Sequence, residues 1–571
     1  MRHLRSCQCH GCGRRRRSTM EKTDTITGAQ AMVECLLREG IEHVWGIPGT
    51  QNLPFLDALR DTPQIRFILT RHEQGAAFMA YGYARAAGRP AIVTATEGPG
   101  VTNLATGIAA AYKGYVPLLS ISGQQEEHVR ERDANQDIDQ TTFFKPITKW
   151  AYSIPSAAKL QEATRRAFRT ALAEPLGPVH LDASRDVFLE HTTRQDWAPG
   201  SYRTTALPDV PVASIDEAMA VLSKAERPLF IAGGGVLREG QTEAMIDLAE
   251  RSGIPVATFQ YYPDSFPTTH PKALGMLGRN GWGSANKAAP RADVVVAIGA
   301  HIDYYSSTFK YGVFTPETKI IHHNPVGTDI GVVYPVAAAV TGSTRSFIEG
   351  LSDRIAKSGQ RWEWLDVGKA RSQWDIDRDM VAAPAKPIPG GFIAKTMRAV
   401  LPKNGLMIVD AGNAGKHVRP LYDTYEPGTF MSIDDWASVG GSFPIGIGAK
   451  VARPDRPVMV TVGDMGMMCN IGELETAVRE DIPVVCVVFN DNGLANERAY
   501  QNELYGGRFF AVDYGQVDFG AVARTLGAHG ERVEEPADLE GALKRALDSG
   551  RPAVVDVAID RDNLAPVVFR P

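Results

Sequence analysis

From residue 25 onward, short apolar runs alternate with longer stretches of helical spacing. Residues 27–39 place Met32, Val33, Leu36 and Leu37 on one helical face, and Gly40 stops the helix. The runs 43–46, 65–70, 91–96 and 116–124 are apolar and bounded by Gly, Pro or polar turns, so they read as strands. An Ala-rich helical stretch opens after Arg71, His72 and Glu73 and runs through Ala87 and Gly88. The pattern recurs at 227–236, 255–259, 293–300 and 319–324, and again at 406–415, 458–462, 484–489 and 553–560. Such strand–helix alternation argues parallel sheets with helices on both faces. Polar, Pro-containing breaks fall at 186–213 and 382–391. The expected fold class is α/β, with three doubly wound parallel-sheet domains at 25–190, 212–355 and 388–565. Residues 1–24 form a basic tail expected to be disordered.

The stretch 462–493 organises the rest. Gly463 and Asp464 close the strand 458–462, a helical pattern follows with Ile471, Leu474 and Val478 on one face, and the next strand ends in Asn490-Asp491-Asn492-Gly493. Neighbouring parallel strands present their loops on one sheet edge, where α/β sheets bind ligands. Each strand end carries a carboxylate, Asp464 and Asp491. Hard oxygen ligands suit Mg²⁺, which also takes phosphate oxygens. The Gly466 turn before a helix offers backbone N–H groups to a phosphate. These residues read as a metal-bridged diphosphate site; the plainer alternative is a strand–turn–helix with two solvated acids.

Composition excludes several classes. The chain has 571 residues, 44% hydrophobic and 22% charged, with net charge −5. The length suits three or four domains, and no broad basic field points to nucleic acid. No run of 18 apolar residues appears, so no membrane span is expected. Cys35, Cys469 and Cys486 sit in apolar segments and suit a reducing, cytoplasmic compartment. Cys7, Cys9 and Cys12 with His3 and His10 could bind zinc; the plainer readings are a disordered tail, or Met20 as the working start.

The stretch 462–493 resembles the thiamine diphosphate signature, GDG followed downstream by Asn-Asn. With RHEQGAAFMAYGYAR, EGPGVTNLATGIAAAY and DDWASVGGSFPIGIGAK, it makes residues 25–565 similar to thiamine diphosphate enzymes of the acetolactate synthase type. The resemblance implies a pyrimidine-binding, a central and a diphosphate-binding domain. It implies thiamine diphosphate, with Mg²⁺ on Asp464, Asp491 and the carbonyl of Gly493. Met465 stands where the family has Gly, and Asp491 where it has Asn. Met465 and Gly466 still offer their N–H groups, although Met465 crowds the turn. Asn413 and Ala414 match the loop that adds diphosphate contacts. Val439 takes the place of the wedge that bends the cofactor, and Ala437 offers a carbonyl to its 4′-amino group. Glu73 matches the catalytic glutamate, whose carboxyl bonds N1′ and promotes the imine that takes the C2 proton. Gln136 matches a glutamine beside the reacting carbon.

The implied activity is C–C bond formation or cleavage on a 2-oxo acid, as an acetolactate synthase-like carboligase or decarboxylase. Asn496, Glu497 and Tyr500 stand where acetolactate synthase has Met, Val and Trp. Glu497 is thus a candidate proton donor or acceptor, or a solvated helix residue. Glu97 replaces a small Ser and adds a carboxyl near the cofactor, or serves structure alone. Ile138-Asp139-Gln140 and Lys145-Pro146 look more like the 2-hydroxyacyl-CoA lyase and oxalyl-CoA decarboxylase branch, which acts on CoA thioesters. A non-catalytic regulatory homologue is a remote reading, resting on Met465, Asp491 and Glu97. FAD or ADP is an open expectation for the central domain, near the Gly-rich stretch 275–283. Glu73 lies in the first domain and Asp464 in the third, so the family pattern implies a homodimer or tetramer with active sites at subunit interfaces. The expected ligand is a small-molecule substrate, with no nucleic acid or membrane partner.

Overall fold

The computed structural model describes residues 25–204, 206–433 and 436–562. The tail 1–24, with its zinc and disorder readings, lies outside the described residues. Three six-stranded sheets carry the architecture, and every pairing within them is parallel. The first sheet runs Arg66–Leu69, His43–Gly46, Ala91–Ala95, Leu118–Gln124, Val179–Ser184, Trp150–Ile154 across its width. The second runs Ala273–Leu277, Val256–Phe259, Pro228–Ala232, Val294–Ile298, Lys319–His323, Ala338–Val340. The third runs Phe430–Ser432, Leu406–Val409, Val458–Gly463, Val485–Asn490, Ala553–Ala558, His529–Val533. Their central strands are short, Val/Ile-rich and almost wholly buried, as strands covered on both faces by helices must be.

Each sheet changes its winding direction beside its first strand in chain order, and such a switch point opens a crevice at the carboxyl ends of the strands. In the third sheet the switch lies between Leu406–Val409 and Val458–Gly463. Asp410 and Asp464 follow those two strands. In the first sheet it lies between His43–Gly46 and Ala91–Ala95, and the turn 96–100 follows the second of these.

The first and third domains share a core. Helix Glu73–Ala87 packs along helix Ser442–Ala452, joining Phe78 and Met79 to Phe443, Ile445 and Ile447. The backbones touch where two glycines remove the side chain: a Cβ on Gly82 would lie 2.0 Å from the Ile445 carbonyl oxygen, and one on Gly448 1.8 Å from that of Met79. Glu473 adds a polar tie. Its buried carboxylate accepts from the backbone N–H groups of Arg71 and His72, at 3.2 and 3.0 Å, and from the Thr476 hydroxyl at 2.7 Å. The third domain thereby anchors the segment that leads into the helix carrying Glu73, whose own N-cap is His72, accepting from the Gln74 N–H at 3.1 Å.

The helix after Val458–Gly463 begins at Asp464 itself, with Gly463 as its N-cap. Gly466 therefore sits inside the first turn rather than before it. Its N–H remains among the orphan donors of the helix start.

Candidate active site at the switch point of the third sheet

One crevice collects most of the residues singled out from the sequence. It is lined by Asn413, Ala414, Val439, Asp464, Met465, Gly466, Asp491, Gly493, Asn496 and Glu497, together with Asp410. Asn413 and Ala414 begin the short helix Gly412–Val418, Asp464 to Gly466 the helix Asp464–Asn470, and Asn496 and Glu497 the helix Ala495–Tyr505. Three helix starts thus point positive dipole ends at one space. Among these lining residues there are four carboxyl side chains, Asp410, Asp464, Asp491 and Glu497, and no Lys, Arg or His.

The carboxyls differ in environment. Asp464 is buried; its Oδ1 accepts from the Met465 N–H at 2.7 Å and lies 2.5 Å from the Tyr514 hydroxyl, and its Oδ2 accepts from the Gly493 N–H at 3.3 Å. The Tyr514 hydroxyl also lies 3.0 Å from the Gly493 carbonyl oxygen. Burial raises Asp464 above the usual carboxylate range. Burial, followed by the Asp464 charge, pushes Asp491 up to about 7. Two buried carboxyls and a carbonyl at one edge form an all-oxygen donor set, the chemistry of a hard divalent cation.

Asp410 was not singled out in the sequence, although it obeys the same rule as Asp464, an acid closing a strand before glycine. Its carboxylate accepts from the Gly440 N–H at 2.9 Å and the Ser442 N–H at 3.4 Å. Burial drives it up to about 7. It thereby anchors the turn bearing Val439, which is half exposed. Ala437 lies in that turn with φ +55°. It is not among the lining residues of the crevice.

Glu73 and Gln136 form a second cluster, on the first domain, and neither lines the crevice. Glu73 is buried at the start of its helix, and the Asn103 amide donates to its Oε2 at 3.0 Å. The turn 96–100 separates Glu73 from Gln136. A Cβ on Gly100 would lie 3.3 Å from Glu73 Oε1, and one on Gly98 2.6 Å from the Gln136 carbonyl oxygen. Glu97, in the same turn, is fully buried and pushed up to about 7 by burial. The Gln125 backbone N–H and side-chain amide face its carboxyl, short of good hydrogen-bond geometry.

The Gly-rich stretch 275–283 ties the central domain to the third. Its Arg279 reaches Tyr500 of the third domain, and the Trp282 indole N–H donates to the Arg419 carbonyl at 3.3 Å. One cavity opens at Gly233 and Gly234, lined also by Tyr115, Arg238, Tyr262 and His301, and another at Gly283, lined also by Lys287, Arg291 and Trp374.

Comparison with known proteins decides the family. The N-terminal thiamine pyrophosphate-binding domain family matches residues 26–143, the central domain of the same enzymes 215–351, and their C-terminal thiamine pyrophosphate-binding domain 410–557. The chain belongs to the thiamine pyrophosphate enzymes of the acetolactate synthase type. It is 34% identical over 566 residues to the probable acetolactate synthase large subunit of Methanocaldococcus jannaschii, covering 95% of this chain and 93% of the relative. It is 31% identical to the acetolactate synthase isozyme 1 large subunit of Escherichia coli, with 94% of each covered. It is 30% identical to the sulfoacetaldehyde acetyltransferase of Alcaligenes xylosoxydans, over 96% of this chain and 95% of the relative. The chain is therefore a thiamine pyrophosphate-dependent enzyme of the transferase or lyase type. Among the described residues no helix is long and apolar enough to cross a membrane.

Proposed function

We propose that this enzyme forms or breaks a C–C bond beside the carbonyl of a 2-oxo acid, with thiamine diphosphate held through Mg²⁺. The observation that carries the metal is the charge of the crevice. Its lining has four carboxyls and no cationic side chain. A diphosphate enters such a space only with a cation that neutralises both it and the acids. Asp464, Asp491 and the Gly493 carbonyl would hold that ion. The N–H groups of Met465 and Gly466, with Asn413 and Ala414, would receive the diphosphate oxygens. Val439 would bend the cofactor, and Ala437 would offer its carbonyl to the amino group.

Bound thiamine diphosphate supplies a carbon nucleophile and an electron sink. The chain supplies placement and proton handling. Glu73 would hold a proton at the N1′ edge of the aminopyrimidine, its carboxyl fixed by the Asn103 amide. Gln136 of the first domain and Glu497 of the third would act on the reacting carbon. The Glu73 cluster and the metal crevice stand on different domains, which supports a homodimer in which each half-site is completed by a second copy. The half-exposed apolar rim of Trp436, Val439, Met465 and Met468 around the crevice supports the same assembly.

The relatives named above span acetolactate synthesis and acetyl transfer involving sulfoacetaldehyde, so the family leaves the acceptor open. The test is C2 proton/deuterium exchange of bound thiamine diphosphate in the parent and in Glu73→Gln. Fast exchange in the parent, slowed at least 100-fold in the variant, is expected. A cofactor-loaded parent without exchange refutes the reading.

A further inference from the structure

Beside the crevice lies a cationic pair that nothing described so far uses. Arg279 comes from the central domain, on a loop held by its own N–H bond to the Tyr305 carbonyl at 2.8 Å. Its guanidinium donates to the Tyr304 hydroxyl at 3.2 Å and to the Tyr500 hydroxyl. Lys416 comes from the third domain, and its ammonium lies 5.1 Å from the centroid of the Tyr500 ring, with Arg279 6.0 Å from the same ring. Two half-buried cations thus converge on one phenol. Among the described residues neither forms an ion pair with a carboxylate, and the Lys416 ammonium makes no hydrogen bond.

That arrangement is costly as it stands. A partly buried ammonium without an acceptor loses solvation, and a like charge beside it adds repulsion. Burial, then the Arg279 charge, brings Lys416 down to about 8, while Glu497 and Glu503 pull the other way. The nearer acid does not close the pair: Glu497 is exposed and accepts from the Asn496 amide at 2.9 Å. Arg279 keeps donors to spare, since a guanidinium carries five N–H groups.

The place of the pair ties it to the crevice. Lys416 is one helical turn beyond Asn413, and Tyr500 one turn beyond Asn496 and Glu497; Asn413, Asn496 and Glu497 all line the crevice. We propose that Arg279 and Lys416, bridged by Tyr500, bind the anionic group of the substrate — a carboxylate, sulfonate or phosphate — while its carbonyl end reacts in the crevice. The assignment rests on the reading of the crevice as the reaction site. A guanidinium fork with an adjacent ammonium suits a planar or tetrahedral oxyanion better than a neutral polar group.

The test is calorimetric titration of the enzyme loaded with thiamine diphosphate and Mg²⁺, at fixed ionic strength. The probes are propionate, ethanesulfonate and ethyl phosphate, with neutral propanamide as control. One anion per chain is expected, with propanamide unbound and the order of the three anions naming the preferred group. Arg279→Gln and Lys416→Met should each weaken the best anion at least 10-fold, and Arg279→Lys and Lys416→Arg should stay within about threefold of the parent. The conservative pair keeps the test valid if the neutral variants fold poorly. Equal binding of propanamide, or anion binding unchanged in the folded neutral variants, overturns the proposal. Its failure is separate from that of the parent reading: C2 exchange in the parent, measured on the same samples, reports on the crevice alone.

Discussion

Replacing Asp491 by Asn tests the paired acids directly. In the metal-free protein, burial and the Asp464 charge lift Asp491 from 3.8 to about 7. That displacement corresponds to about 4 kcal/mol against the charged form. The folded protein binds this proton more tightly than the unfolded chain does. The penalty is therefore absent below about pH 4, grows as the pH rises, and is complete above about pH 7. Asn carries no charge and removes it. Without metal, Asp491→Asn should melt higher than the parent at pH 8.5, by about 8–16 °C for a penalty of about 4 kcal/mol in a domain of this size. At pH 5 the gap should fall to less than half of that. Mg²⁺ with thiamine diphosphate should then raise the parent at pH 8.5 by more than the variant, because the ion offsets a repulsion that only the parent has. Differential scanning fluorimetry in EDTA at pH 5, 7 and 8.5, repeated with the cofactors, reads all three. A gap of the same size at pH 5 and 8.5, or none at 8.5, refutes the coupling.

The other expectations are independent of that pair. Tyr514→Phe removes a hydroxyl that touches both the Asp464 carboxylate and the Gly493 carbonyl; metal binding, followed by titration of Mg²⁺ or Mn²⁺, should tighten several-fold, and weaker binding would show that the phenol organises the ligands instead. Asp410→Ala releases the N–H groups of Gly440 and Ser442 and should weaken thiamine diphosphate at least 10-fold while leaving metal binding alone nearly unchanged. Gly448→Ala drives a methyl into the Met79 carbonyl and should cost about 1–3 kcal/mol or more, read as a lower midpoint in urea. Glu473→Ala leaves two backbone N–H groups without their acceptor and should cost about 1–3 kcal/mol, together with slower C2 exchange because the segment leading into the Glu73 helix loses its anchor.

The three sheets were legible because most of their strands are continuous apolar runs closed by glycine or an acid. The strands that escaped share physical reasons. Phe430–Ser432 and Ala338–Val340 are three residues long, too short for any periodicity. Trp150–Ile154 and His529–Val533 are edge strands with one wet face. Val179–Ser184 is fully buried, yet His180 and Asp182 interrupt its pattern. They are tolerated partly because the His180 ring meets the Ser120 hydroxyl at 3.1 Å. Polar residues buried within a strand look, in the sequence, like surface.

The site divides along a similar line. Asp464, Asp491 and their glycines were found by turn chemistry at strand ends, which is local and survives in a string of letters. The same rule, applied once more, would have found Asp410. Asn103, Tyr514, Arg279 and Lys416 gain meaning only from partners far along the chain: Arg279 and Tyr500 are 221 positions apart, Tyr514 and Asp464 50. No spacing rule joins such residues, since the fold alone sets the distance between them. The division has a chemical sense. Cofactor binding needs backbone N–H groups and strand-end acids, which the sheet topology fixes in place. Recognition of the substrate's distal group needs side chains from two domains, so it can change without disturbing that topology. Substitutions at Arg279, Lys416, Asn496 and Tyr500 should accordingly redirect specificity among anionic substrates, whereas substitutions at Asp464 or Glu73 should abolish the reaction for all of them.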